Sequence, residues 1–210
     1  AESVIIATGA CPQKLGVPGE EEFAGRGVSY CAICDGAFFR DKVISVVGGG
    51  NAAVEEALYL TRFASKVNII HRRNELRAEK IYQEKAFSEP KINFIFDSEV
   101  MAINGKDKVE SISIRNVITG AVSEVPTDGV FPYIGYVPSS DLFKGQLQLD
   151  ERGFILTDVN LSTSCEGVFA AGDIRVTPLR QIIVSVADGA IAATSAAKYL
   201  KDKRAAIVAG

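Results

Sequence analysis

Histidine is almost missing from this chain: His71 is the single one among 210 residues. A metal centre built on several imidazoles has too few ligands, and no metal is expected. No serine sits in a nucleophile-elbow pattern, so that hydrolase chemistry is excluded. Cysteines number four, too few for a disulfide scaffold, and only Cys31 and Cys34 lie close in sequence. A reducing, cytoplasmic compartment is expected. Long apolar runs are missing too. Val43 to Val47 and Ile182 to Ala187 are too short to span a bilayer, and no signal peptide is expected. Neither sign of charge dominates, with 23 basic against 26 acidic residues, so no nucleic-acid or membrane partner is expected.

What is present is ordinary soluble material, 47% hydrophobic and 23% charged, long enough for one large domain or two small ones. Ser3 to Gly9 reads as a buried strand breaking into a turn, and it starts so early that the chain reads as cut from something longer. Cys11 to Gly27, rich in proline and glycine, reads as a linker. Strands are predicted at Lys42 to Val47 and Lys66 to Ile70, and helices over Asn51 to Phe63 and Glu75 to Ser88. Four alternating strands follow between Ile92 and Val125, with Asn104-Gly105 and Thr119-Gly120 as hairpin turns. After a short strand at Val130 to Ile134, Gly135 to Pro138 looks like a second linker. Ile155 to Leu161 is a weaker strand, Val168 to Asp173 another that breaks at Gly-Asp, Gln181 to Leu200 an Ala-rich helix, and Lys201 to Gly210 a tail. This order predicts an α/β protein in which one domain, residues 12–136, is inserted into another made of 1–11 and 137–210.

Two stretches carry chemistry. Gly48-x-Gly50-x-x-Ala53, between a strand and a helix, is a dinucleotide fingerprint. Gly48 permits the turn, Gly50 lets backbone amides approach a pyrophosphate, and Ala53 keeps helix and strand close. An NAD site would place a carboxylate at the end of the next strand, but His71-Arg72-Arg73 and then Arg77 stand there instead. Guanidinium groups bind a 2′-phosphate that a carboxylate would repel, so NADPH is the expected nucleotide. Cys31-Ala32-Ile33-Cys34 could be half a zinc site or a buried structural pair. No second cysteine pair completes a zinc site, so a redox-active dithiol is favoured, with Asp35 placed to exchange a proton with the outgoing thiol. Cys11 and Cys165 have no such context and read as ordinary buried thiols.

Cys-x-x-Cys-Asp-Gly, Gly-Gly-Gly-Asn-x-Ala and His-Arg-Arg-x-x-x-Arg-Ala, in this order, resemble the bacterial-type, low-molecular-weight thioredoxin reductases over nearly the whole chain. The resemblance implies a Rossmann-like NADPH domain, a βαβ unit with appended antiparallel strands, inserted in a partial FAD-binding domain. It implies that Asn51 and His71 join the arginines in binding NADPH, with Cys34 nearer the flavin and Cys31 its disulfide partner. Thr8, Gly9, Gly172, Asp173, Arg180 and Gln181 match the family's FAD landmarks. Thioredoxin is the implied partner, and a cytoplasmic homodimer the implied form. Because nicotinamide and dithiol sit on one domain, the family turns that domain about its linkers, near residues 10–13 and 134–138 here. Only one glycine fingerprint is present, so the N-terminal FAD-binding βαβ unit, roughly the family's first hundred residues, is expected to be absent from this chain. Two alternatives stay open: the flavoprotein subunit of alkyl hydroperoxide reductase, and an inactive NADPH-binding fragment.

Overall fold

The computed structural model describes residues 1–209, with the side chains of 207–209 left aside. In chain order it holds β1 (Val4–Ile6), β2 (Ala10–Pro12), α1 (Ala32–Asp35), β3 (Val43–Val47), α2 (Asn51–Leu60), β4 (Lys66–Ile70), α3 (Lys80–Ser88) and β5 (Ile92–Ile95). Then come β6 (Ser98–Gly105), β7 (Val109–Asn116), β8 (Val122–Pro126), β9 (Gly129–Pro132), β10 (Tyr136–Pro138), β11 (Val168–Ala170) and α4 (Ile182–Ala209). Contacts divide the chain into two units. One is Ala1–Cys11 with Tyr136–Gly210; the other is Pro12–Gly135.

The Pro12–Gly135 unit is built on a parallel sheet ordered β5-β4-β3-β9. Valine and isoleucine fill β3 and β4 because both faces are covered, and such strands need no polar side. Ile44, Val46, Val67, Ile69 and Phe131 meet Val54, Ala57, Leu60 and Ala86 of α2 and α3 on one face. Their neighbours Val47, Ile70 and Val130 meet Val100, Ile103, Val109, Ile112 and Ile114 of the antiparallel sheet β6-β7-β8 on the other. Each such valine, leucine, isoleucine or phenylalanine side chain taken from water stabilises the unit by roughly 1.5–3 kcal/mol. The β3-α2-β4 crossover puts the glycine turn at the carboxyl edge of the sheet, where open α/β sheets take ligands.

Three features of this unit differ from the sequence reading. Helix α3 starts at Lys80 rather than Glu75, because the Arg77 and Ala78 amides donate to the Gly49 carbonyl instead of a helical turn. Helix α2 ends at Leu60, where Thr61 Oγ1 turns back to the Leu58 carbonyl. Asn104-Gly105 is strand, not turn. The Asn104 amide donates across the sheet to Ser113 Oγ at 2.9 Å, and 106–108 make the reversal.

In the other unit β1 and β11 pair in parallel, Val4 opposite Val168 and Ile6 opposite Ala170. Phe169 and Ala171 pack on Ala192 and Ala196 of α4, and Ile6, Ile155, Ala170 and Ile174 form a second cluster. The strand predicted over Ile155 to Leu161 is not formed. Ile155 makes isolated bridges, and the Asp158 carboxylate then takes the Asn160 and Ser162 amides into a turn, with Leu161 at φ 63°. The predicted tail is helix through Ala209, as its alanines favour, and Gly210 lies outside the described residues. Cys11 and Cys165 are exposed, against the expectation that they are buried. Gly135 to Pro138, read as a linker, contains β10, which pairs with β2.

Candidate functional site

Cys31 and Cys34 form a disulfide, with Cα atoms 5.3 Å apart. The single turn α1 lies between them, and the Cys34 amide donates to Cys31 Sγ at 3.2 Å. Cys34 is exposed and Cys31 half-buried. Three residues hold the turn. The buried Ser29 hydroxyl accepts the Cys31 amide at 3.1 Å and donates to Asp35 Oδ2 at 2.6 Å. Glu20, buried by its bonds to the Leu15 and Gly16 amides, also accepts the Tyr30 hydroxyl. That carboxylate and burial push the Tyr30 phenol well above its ordinary range, burial contributing most. Tyr133, from just beyond β9, accepts the Ala32 amide with its hydroxyl at 2.7 Å.

Tyr133 also borders the glycine turn. Gly48 lies at φ 148°, and a Cβ there would stand 2.4 Å from the Tyr133 carbonyl oxygen and 2.9 Å from Ala53 Cβ. The His71 ring lies against Gly49, where a Cβ would meet it at 2.5 Å. Gly50 caps α2 and faces open space. A cavity of about 400 Å³ opens here, lined by Gly48, Gly49, His71, Arg72, Arg77 and Tyr133 among others. His71 is buried, yet its Nε2 has no hydrogen-bond partner. Burial, then the neighbouring Arg77, Arg73 and Arg72 charges, hold its imidazole below the usual pKa. Those three guanidinium groups are exposed and make no ion pair among the described residues. A cluster of three exposed guanidinium groups at the end of a βαβ crossover, without an ion-pair partner among the described residues, fits an anionic nucleotide, and the unpartnered His71 Nε2 leaves a polar atom facing it. Arg73 lies outside the cavity lining, and Asn51 has its amide engaged with Glu79.

The residues expected to face a flavin all fall in the other unit. Parallel pairing of β1 with β11 brings Thr8-Gly9 beside Gly172-Asp173 at the carboxyl ends of the two strands. Gly9 and Gly172 take φ 73° and 76°, which favours glycine. The Gly172 amide donates to Asp188, and Ser185 reaches the Asp173 carboxylate at 3.4 Å. The Arg180 guanidinium lies 4.3 Å from the Phe154 ring centroid, its buried Nε without a partner, and Gln181 opens α4. An unpartnered buried guanidinium donor fits a polar cofactor edge. Sequence reasoning gave no role to Ser29, Glu79 or Tyr133. Tyr133 meets Ala32 across 101 residues, a pairing no local pattern signals.

No helix among the described residues is long and apolar enough to cross a membrane, and none of their side chains cluster as a metal site. A model of the family described as pyridine nucleotide-disulphide oxidoreductase matches residues 1–197. A thioredoxin reductase of Peptoclostridium acidaminophilum is 55% identical over 207 residues, covering 96% of this chain and 66% of that protein. One of Bacillus subtilis (strain 168) is 51% identical over 203 residues, covering 96% and 64%. The crystal structure of thioredoxin reductase from Streptococcus pyogenes matches with a TM-score of 0.88 at 52% identity, over 95% of this chain and 66% of that one. The chain thus spans 64–66% of the length of these relatives.

Proposed function

The chain belongs to the pyridine nucleotide-disulphide oxidoreductase family, and on that premise we propose that it serves a thioredoxin reductase, passing two electrons from NADPH to the Cys31–Cys34 disulfide and on to oxidised thioredoxin. One observation carries this reading: a disulfide with an exposed cysteine shares its unit with a glycine turn and three guanidinium groups that make no ion pair among the described residues. Arg72, Arg73, Arg77 and His71 take the 2′-phosphate, and the turn Gly48 to Gly50, closed by Ala53, takes the pyrophosphate. Thr8, Gly9, Gly172, Asp173, Arg180 and Gln181 would hold FAD, which would supply hydride acceptance and two-electron transfer toward a disulfide. Once Cys31 and Cys34 are reduced, one thiolate attacks the partner's disulfide to form a mixed disulfide. The other cysteine displaces it, so the internal disulfide re-forms and the partner leaves as a dithiol. Asp35, steadied by the Ser29 hydroxyl, exchanges the proton with the departing sulfur. Ile33, beside Cys34 in sequence, and Phe38, four residues on, are 50% and 74% exposed and offer a protein substrate apolar surface. Such an enzyme works in the cytoplasm as a homodimer.

The test needs no flavin. The chain is reduced with dithiothreitol, desalted, and mixed with an equal amount of oxidised thioredoxin. Two thiols should appear on thioredoxin and two vanish from the chain, and Cys31→Ser should abolish the transfer. Thiols that stay on the chain would contradict the assignment.

A further inference from the structure

Asn51 opens α2 directly after the glycine turn, and both ends of its amide are engaged by one residue. Its Nδ2 donates to Glu79 Oε1 at 2.9 Å, and the Glu79 amide donates to its Oδ1 at 2.8 Å. Between these partners runs the stretch that carries Arg77. The Arg77 and Ala78 amides donate to the Gly49 carbonyl at 2.6 and 3.0 Å. Leu76 and Ala78 are buried on either side, and Gln83 of α3 donates to the Ala78 carbonyl at 2.7 Å. The Arg77 side chain itself is exposed, borders the cavity, and makes no hydrogen bond or ion pair among the described residues. The backbone that bears this guanidinium is therefore fixed while its head is left available.

We infer that Asn51 and Glu79 form a clasp that sets nucleotide selectivity, holding the Arg77 stretch against the glycine turn so that its guanidinium meets the 2′-phosphate. Asn51 is thus a positioning residue that acts through Arg77. Asparagine suits the place because one short side chain offers a donor and an acceptor together. Aspartate would set a second carboxylate against Glu79, and alanine would leave both bonds unmade. The inference rests on the NADPH reading given above, since only a nucleotide with a 2′-phosphate can report on Arg77.

The test is the affinity of the full chain for NADPH and for NADH, measured by calorimetry for the native sequence and variants. Asn51→Ala should weaken NADPH about tenfold, the loss of one well-placed charged contact, and NADH less than about twofold. Glu79→Ala keeps the backbone donor and should cost NADPH about threefold, on the scale of one ordinary hydrogen bond. Glu79→Gln, which keeps an acceptor oxygen, should restore native selectivity. The double alanine variant should bind no worse than Asn51→Ala alone, because the two residues act as one device. Equal losses for both nucleotides, or none, would overturn the clasp while leaving the nucleotide assignment standing. A native chain that does not prefer NADPH would overturn both. Thermal midpoints identify a variant that fails to fold, and the Glu79 pair carries the test if Asn51→Ala does.

Discussion

Arginine does opposite work in the two units. In the Ala1–Cys11 and Tyr136–Gly210 unit, Arg175 grips the buried Asp188 with two bonds, Nε to Oδ2 at 2.6 Å and Nη2 to Oδ1 at 2.8 Å. Asp188 also takes the Gly172 amide, so this pair fixes a turn. In the Pro12–Gly135 unit, Arg72 and Arg77 line a cavity, and with Arg73 they crowd a buried histidine without a carboxylate partner among the described residues. A paired guanidinium is structure, whereas an unpaired cluster on a rigid edge is available for an anion. The cores differ as well. The Pro12–Gly135 unit buries both faces of its parallel sheet. The other has a two-stranded sheet and leaves Ile182, Ile183 and Val186 of α4 at 84%, 72% and 62% exposure. Two strands alone make a marginal sheet.

The contrast is sharpest where each arginine set is broken. Asp188→Ala should have the largest effect on stability, about 3–5 kcal/mol, because it strands a mostly buried guanidinium. Denaturant unfolding measures it. Hydrogen bonding from Arg175 holds the Asp188 carboxyl below its ordinary pKa, against burial, with the Gly172 amide assisting. Its contribution should therefore be complete above about pH 4 and vanish as pH falls through the lowered value. Arg72→Gln and Arg77→Gln should leave stability nearly unchanged but weaken NADPH about tenfold or more each, at roughly 1.5–3 kcal/mol per charge-assisted contact. Arg73→Gln, off the cavity lining, should cost less. The smallest effect belongs to His71, whose lowered pKa means that the unfolded chain takes up the proton first. Stability should decline as pH falls below about 6.5, and His71→Gln should flatten that decline in pH-dependent melting.

How much of this was legible depended on whether the deciding contact was local. Val43 to Val47, Lys66 to Ile70 and the start of α2 at Asn51 stand where their own apolar pattern and glycine turn put them. The start of α3 was not legible, since the Arg77, Ala78 and Glu79 amides that would extend it donate to the Gly49 carbonyl and Asn51 Oδ1, almost thirty residues back in the chain. Ile155 to Leu161 has strand-forming residues, but one carboxylate, Asp158, turns the chain. The cysteine and arginine motifs were visible as short patterns. What supports them was not. Ser29, Glu79 and Tyr133 gain their roles from partners that only the fold brings near.

We propose above all that the Pro12–Gly135 unit carries nucleotide selectivity within itself, while the sequence of residues 1–11 and 136–210 contains no Gly-x-Gly turn for a pyrophosphate. One calorimetric series on the purified chain tests it, with NADPH, NADH and FAD titrated in turn. The account predicts saturable one-to-one binding of NADPH, NADH weaker by about tenfold or more, and FAD weak or undetectable. Equal affinity for NADPH and NADH, or tight stoichiometric FAD binding, would contradict it.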